Sequence, residues 1–113
     1  MMRRPRLLGE KAREALMKIF GMNDKEAEIL MELGSGIDAR ELSERTGLAI
    51  PSVNRYLNSL IKLGLAKRSS MCCVGSRGRY YVYSSIGKDE LKKKMLAELK
   101  RKCAEMREII KGF

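Results

Sequence analysis

The sequence predicts a mainly α chain with one small β hairpin past its middle and a long helix at its end. Three observations carry this. Apolar residues recur at intervals of three and four through most of the chain. Only the stretch from Leu65 to Ser84 breaks that rhythm, placing tyrosines and valines around the turn Gly75, Ser76, Arg77, Gly78. After it, Leu91, Met95, Leu99, Cys103, Met106 and Ile110 form a single apolar seam.

With 113 residues the chain has room for one domain with a modest core and an appendage. Its net charge of +10 comes from 24 basic and 14 acidic side chains. The distribution says more than the total. No acidic residue lies between Glu44 and Asp89, an interval holding Arg45, Arg55, Lys62, Lys67, Arg68, Arg77, Arg79 and Lys88. Residues 21–44 are the reverse, with seven acids against Lys25 and Arg40. A one-signed field on a helix and a hairpin predicts a nucleic-acid partner, with the acidic stretch turned away from the phosphates.

Several other classes are disfavoured. No apolar run reaches the roughly 18 residues that span a bilayer, and Met1 to Arg6 leads into no signal core, so a cytoplasmic protein is expected. Three cysteines and no histidine suit neither a disulfide framework nor a zinc site. No metal or cofactor is expected. The lack of histidine, of paired carboxylates and of a glycine-rich phosphate loop followed by lysine argues against an enzyme.

The first helix is expected from about Leu8 to Phe20, where Leu8, Ala12, Ala15, Leu16 and Ile19 share a stripe that Gly21 ends. Asn23 then offers a cap, with Glu26 placed to reach back and Met22 to staple against Ala27. That second helix carries Ala27, Leu30, Met31 and Leu33 inward until Gly34 and Gly36. The device recurs more clearly with Asp38 as cap, Glu41 as the return and Ile37 stapling on Leu42, in a short helix ending at Gly47. A tight turn leads to Pro51, which is tolerated in a first helical turn because its missing amide hydrogen is not needed there. Val53, Tyr56, Leu57, Leu60 and Ile61 form the inner face of the fourth helix, which Gly64 stops.

The outer face of that helix is the candidate for recognition: Ser52, Asn54, Arg55, Asn58, Ser59 and Lys62. Arginine donates a bidentate pair to guanine, asparagine pairs with adenine, and serine admits a phosphate to the backbone. Arg55 is the leading base reader, and Tyr56 is a core aromatic with its hydroxyl at the rim. Strands are expected over Leu65–Val74 and Arg79–Ser84, with Tyr80 and Val82 on one face and Tyr81 and Tyr83 on the other. Arg68, Arg77 and Arg79 put positive charge on the hairpin, placed for phosphates or a minor groove. The last helix should run from about Lys88 to Lys111, its seam of Leu91, Met95, Leu99, Cys103, Met106 and Ile110 covered by a second copy. Cys72 and Cys73, adjacent in a strand, point to opposite faces; packing is their first reading and redox sensing their second.

The order of these elements resembles the winged helix-turn-helix of prokaryotic transcription regulators, archaeal TrmB-type and MarR-like proteins above all. The likeness is carried by Met22 to Ala27, Glu41 to Gly47, Pro51 to Val53, Leu60 to Leu65 and Tyr80 to Val82. It implies a basic arm and helix over residues 1–21, the winged domain over 22–86 and a dimerisation helix over 87–113. It further implies that Asp38 to Thr46 supports, Ala49 to Leu63 recognises, and Gly75 to Arg79 forms the wing. The function so implied is sequence-specific binding of double-stranded DNA by a homodimer, as a regulator and foremost a repressor, with any small-molecule effector unknown. A non-specific chromatin-like binder and a protein-docking adaptor are the alternatives, since fold alone does not fix function.

Overall fold

The computed structural model describes residues 9–72 and 79–113. Its elements, in order, are α1 (Gly9–Phe20), α2 (Asp24–Leu33), α3 (Ala39–Thr46), α4 (Ile50–Lys62), β1 (Ala66–Cys72), β2 (Arg79–Ser85) and α5 (Lys88–Lys111).

Local chemistry sets the helix boundaries. Asn23 caps α2, its side-chain oxygen accepting from the Glu26 amide at 2.8 Å, and Asp38 caps α3 by accepting from the Glu41 amide at 2.8 Å. The reciprocal arm expected of Glu41 goes elsewhere. Its carboxylate accepts from Arg45 at 2.9 Å, one turn along the same helix, where opposite charges at this spacing attract. α3 ends on Gly47, whose φ of 76° is left-handed backbone that a side chain would strain, and whose amide donates to the Ser43 carbonyl at 2.9 Å.

The turn from α3 to α4 is bound on both sides. The Ser43 hydroxyl donates to the Leu48 carbonyl at 2.5 Å, and the Thr46 hydroxyl to the Leu42 carbonyl at 2.7 Å. The Ser43 bond ties α3 to the turn and the Thr46 bond closes the last turn of α3, and Leu42, Val53 and Leu57 are fully buried between the two helices.

β1 and β2 pair antiparallel, Ala66 opposite Ser85 through to Cys72 opposite Arg79. A third, single-residue rung completes the base of the hairpin. Ile37, between α2 and α3, exchanges both backbone hydrogen bonds with Tyr83, at 2.9 and 2.8 Å. The hairpin is therefore buried at its base, where Tyr83, Ile86, Leu65 and Ala66 join the core, and exposed on both faces further out, at Tyr80, Tyr81 and Met71. Burial follows distance from the helices more than the alternation of faces.

One core unites the chain from Leu16 of α1 to Leu91 of α5, with Ile29, Leu33 and Leu60 at its centre. α1 and α5 lie together behind the α2–α4 triad, and Met95 is the last residue of α5 to pack on that core. Beyond it the helix projects, giving the molecule extents of 63 × 35 × 26 Å. Among the described residues no helix is long and apolar enough to cross a membrane.

Candidate nucleic-acid interface

The amphipathic pattern of α4 rotates its polar side outward. Asn54, Arg55, Asn58 and Lys62 are exposed, and Ser52 and Ser59 are half-buried at the edges of that face. Ile50, Asn54, Asn58 and Lys62 stand four apart and so form one row along the helix. Arg55 lies beside it, its guanidinium 5.3 Å from the Tyr56 ring centroid. Tyr56 is half-buried against the core, and its hydroxyl accepts from the Asn23 side-chain amide at 3.3 Å. The Asn23 hydrogen bond, and after it the neighbouring Arg55, hold the Tyr56 phenol below its ordinary value. The cap of α2 and the outer face of α4 are thereby joined through one tyrosine.

A groove of about 710 Å³ separates the start of α4 from the hairpin. Asp38, the cap of α3, with Ala39 and Arg40 of its first turn, Ile50 and Asn54 of α4, and Tyr80, Tyr81 and Tyr83 of β2 line it. On the hairpin, Lys67 and Arg68 are exposed, and the Arg68 guanidinium lies 4.5 Å from the Tyr81 ring centroid. A guanidinium stacked on a ring by its face can still donate from its edge.

The structure thus gathers Asn54, Arg55, Asn58 and Lys62 on one helix face and sets Arg68 on the hairpin that shares the groove. Arg77 and the side chain of Arg79 lie outside the described residues, as do Cys73 and the side chain of Cys72. Arg45, counted in the basic interval, is engaged by Glu41 and Glu32 at 2.9 and 3.4 Å. Two residues were missed in the sequence. Arg40 was lost in the acidic stretch, and Ile50 was passed over as an apolar residue before a proline; the groove sets Arg40 and the hairpin tyrosines against the end of α4 that carries Ile50 and Asn54.

The acidic residues of α2 are internally matched. Asp24 pairs with Arg13, Glu28 with Lys25 at 3.8 Å and Glu32 with Arg45, while Glu26 is buried. On α5, Leu91 is buried in the chain's own core and Met95 is half-buried there, whereas Leu96, Leu99, Cys103, Met106, Ile109, Ile110 and Phe113 are exposed. Leu96, Leu99, Cys103, Met106, Ile110 and Phe113 follow the alternating three and four spacing of a heptad seam.

Residues 28–70, which run from α2 through β1, match the profile of the IclR helix-turn-helix domain. Among curated proteins the sequence finds no match. Among solved structures the chain is similar to a possible transcriptional regulator from Methanosarcina mazei Go1, with a TM-score of 0.76 at 16% identity over 92% of this chain and 89% of that one. It is also similar to a protein of the thermoacidophilic archaeon Sulfolobus tokodaii, with a TM-score of 0.70 at 20% identity over 85% of this chain and 95% of that one. A third likeness is to TrmBL2, described as an archaeal chromatin protein with a novel mode of DNA binding: TM-score 0.59, 22% identity, 88% of this chain and 36% of that one. The helix-turn-helix of α3 and α4, the hairpin beside it and the projecting α5 are together a winged helix-turn-helix fold with a long C-terminal helix, resembling that of the possible regulator from Methanosarcina mazei.

Proposed function

We propose that this chain binds double-stranded DNA sequence-specifically as a homodimer and regulates transcription by occupying its site. The observation that carries the reading is the acid-free polar face of α4 beside a basic hairpin. In helix-turn-helix proteins the second helix enters the major groove, and here that helix offers Asn54, Arg55 and Asn58, side chains that read base edges. Lys62, Arg68 and Arg40 supply phosphate contacts on either side, and Arg77 and Arg79 add to them from the wing.

A second copy is the partner that fits α5. The exposed heptad row from Leu96 to Phe113 is too long for a lone helix to leave in water, and two such rows interdigitate. Two-fold pairing calls for two copies of α4 about one helical turn of DNA apart, roughly 34 Å, or a multiple of it, and for an inverted-repeat site. Repression is favoured over activation. A recruiting surface needs free charge, and the carboxylates of α2 are matched by Arg13, Lys25 and Arg45.

Selection of bound duplexes from a random pool tests this. An enriched inverted repeat overlapping core promoters supports the reading, whereas duplex binding with no enrichment supports a second one, non-specific coating of DNA, which the likeness to a chromatin protein favours. Absence of any duplex binding sinks both and leaves a protein-docking module.

A further inference from the structure

Ile50 stands outside the core of this fold. It opens α4, is 43% exposed and takes no part in the core. A single exposed isoleucine on an arbitrary surface carries no message. This one heads the row Ile50, Asn54, Asn58, Lys62 and lines the groove with Asn54, Tyr80 and Tyr81. It is the one apolar side chain in that row.

The major-groove edge of DNA offers one apolar group, the C5 methyl of thymine, and asparagine pairs in bidentate fashion with adenine. Residues at the start of a helix-turn-helix recognition helix are those that reach base edges. Side chains four apart on a helix have β carbons about 5–6 Å apart, while successive base pairs rise about 3.4 Å. Asn54 on an adenine therefore leaves Ile50 within reach of a thymine in the same or the next base pair. A guanine or cytosine there would offer no methyl group, and its polar edge atoms would lose water to an isoleucine that cannot hydrogen-bond them.

On the reading of α4 as a DNA-recognition helix, we propose that Ile50 is a specificity-determining residue that contacts a thymine methyl group and, with Asn54, restricts the base pairs at the start of α4 to A·T.

Deoxyuridine tests this directly because it lacks only the methyl group. In the duplex enriched by selection, each thymine is replaced in turn by deoxyuridine and the affinity of the intact chain is measured. Replacement at one thymine per half-site is expected to weaken the wild type about four-fold, the worth of one buried methyl group, with the slope against salt unchanged. Ile50→Ala should bind the thymine and uracil duplexes alike, and Ile50→Val should keep part of the difference. Exposure of Ile50 leaves the core of the variants intact, and the wild-type scan needs no variant at all. Indifference of the wild type to every replacement would overturn the assignment, as would a full penalty retained in Ile50→Ala. Selective binding without a uracil penalty removes the role of Ile50 alone, whereas failure to bind any duplex removes the DNA reading and this assignment with it.

Discussion

Replacing Leu99 with glutamate separates assembly from folding. Leu99 is 45% exposed on the part of α5 that projects beyond the core, whereas Leu16, Leu57 and Leu60, which hold the domain together, are fully buried. The variant chain therefore folds. Full burial of a leucine side chain stabilises by about 1.5–3 kcal/mol. Covering the exposed 45% of Leu99 then contributes about 1 kcal/mol per copy, and about 2 kcal/mol in a two-fold pair. At about 1.4 kcal/mol per factor of ten, loss of this contact alone weakens pairing roughly 30-fold. Two carboxylates desolvated across the seam raise the cost further. Sedimentation over a concentration series reads the dimer constant, and anisotropy of a labelled duplex reads DNA affinity. Both should fall together in Leu99→Glu, because each half-site binds more tightly when its partner is tethered. A wild type that stays monomeric at micromolar concentration, or a variant that pairs and binds DNA unchanged, refutes the reasoning.

Other substitutions divide the interface by role. Arg55→Ala should relax discrimination at one or two base positions, by about 1–3 kcal/mol there, while Arg68→Ala, Arg77→Ala and Arg79→Ala should weaken all duplexes alike and each lower the salt slope by about 1 per copy bound; competition across a randomised duplex library distinguishes the two patterns. Asp38→Ala removes the cap on the Glu41 amide and should cost about 1 kcal/mol of stability, seen as a fall of several degrees in Tm. Asn23→Ala should let the Tyr56 phenol rise toward its ordinary value, followed by NMR titration. Because the folded-state value is depressed, the interaction with the phenolate stabilises the wild type above the unfolded-state value of about 10 and is lost as pH falls through the folded-state value; the variant should lose that alkaline gain.

The parts of the fold legible in the sequence were those fixed by neighbours in the chain. The Asn23 and Asp38 caps, the left-handed Gly47 and the inner face of α4 all depend on residues within a turn of one another, and each is found where its pattern placed it. The Ile37–Tyr83 rung was not legible, because one residue pair bridging 46 positions leaves no periodic trace. Burial along β2 was not legible from its alternation either: the hairpin leaves the helices, so its base is buried and its outer part exposed on both faces. Along α5, a stripe read as continuous is divided by tertiary packing. Leu91 and Met95 join the chain's own core, and only then does the exposed heptad from Leu96 emerge. At the candidate site, the polar row of α4 was visible as a face without carboxylates, but Arg40 joins it only through the tertiary groove, and Ile50, at the head of the row, meets the hairpin tyrosines only there.

If the face formed by α4 and the hairpin holds DNA, duplex binding must depend steeply on salt. Arg40, Arg55, Lys62, Lys67 and Arg68 are exposed on each copy, enough for six or more phosphate contacts in a pair. Affinity for the selected duplex should then fall by about 10³-fold or more between about 50 and 200 mM salt, linearly in the logarithms of both. No duplex affinity at the lower concentration, or an affinity that salt does not change, would contradict the account.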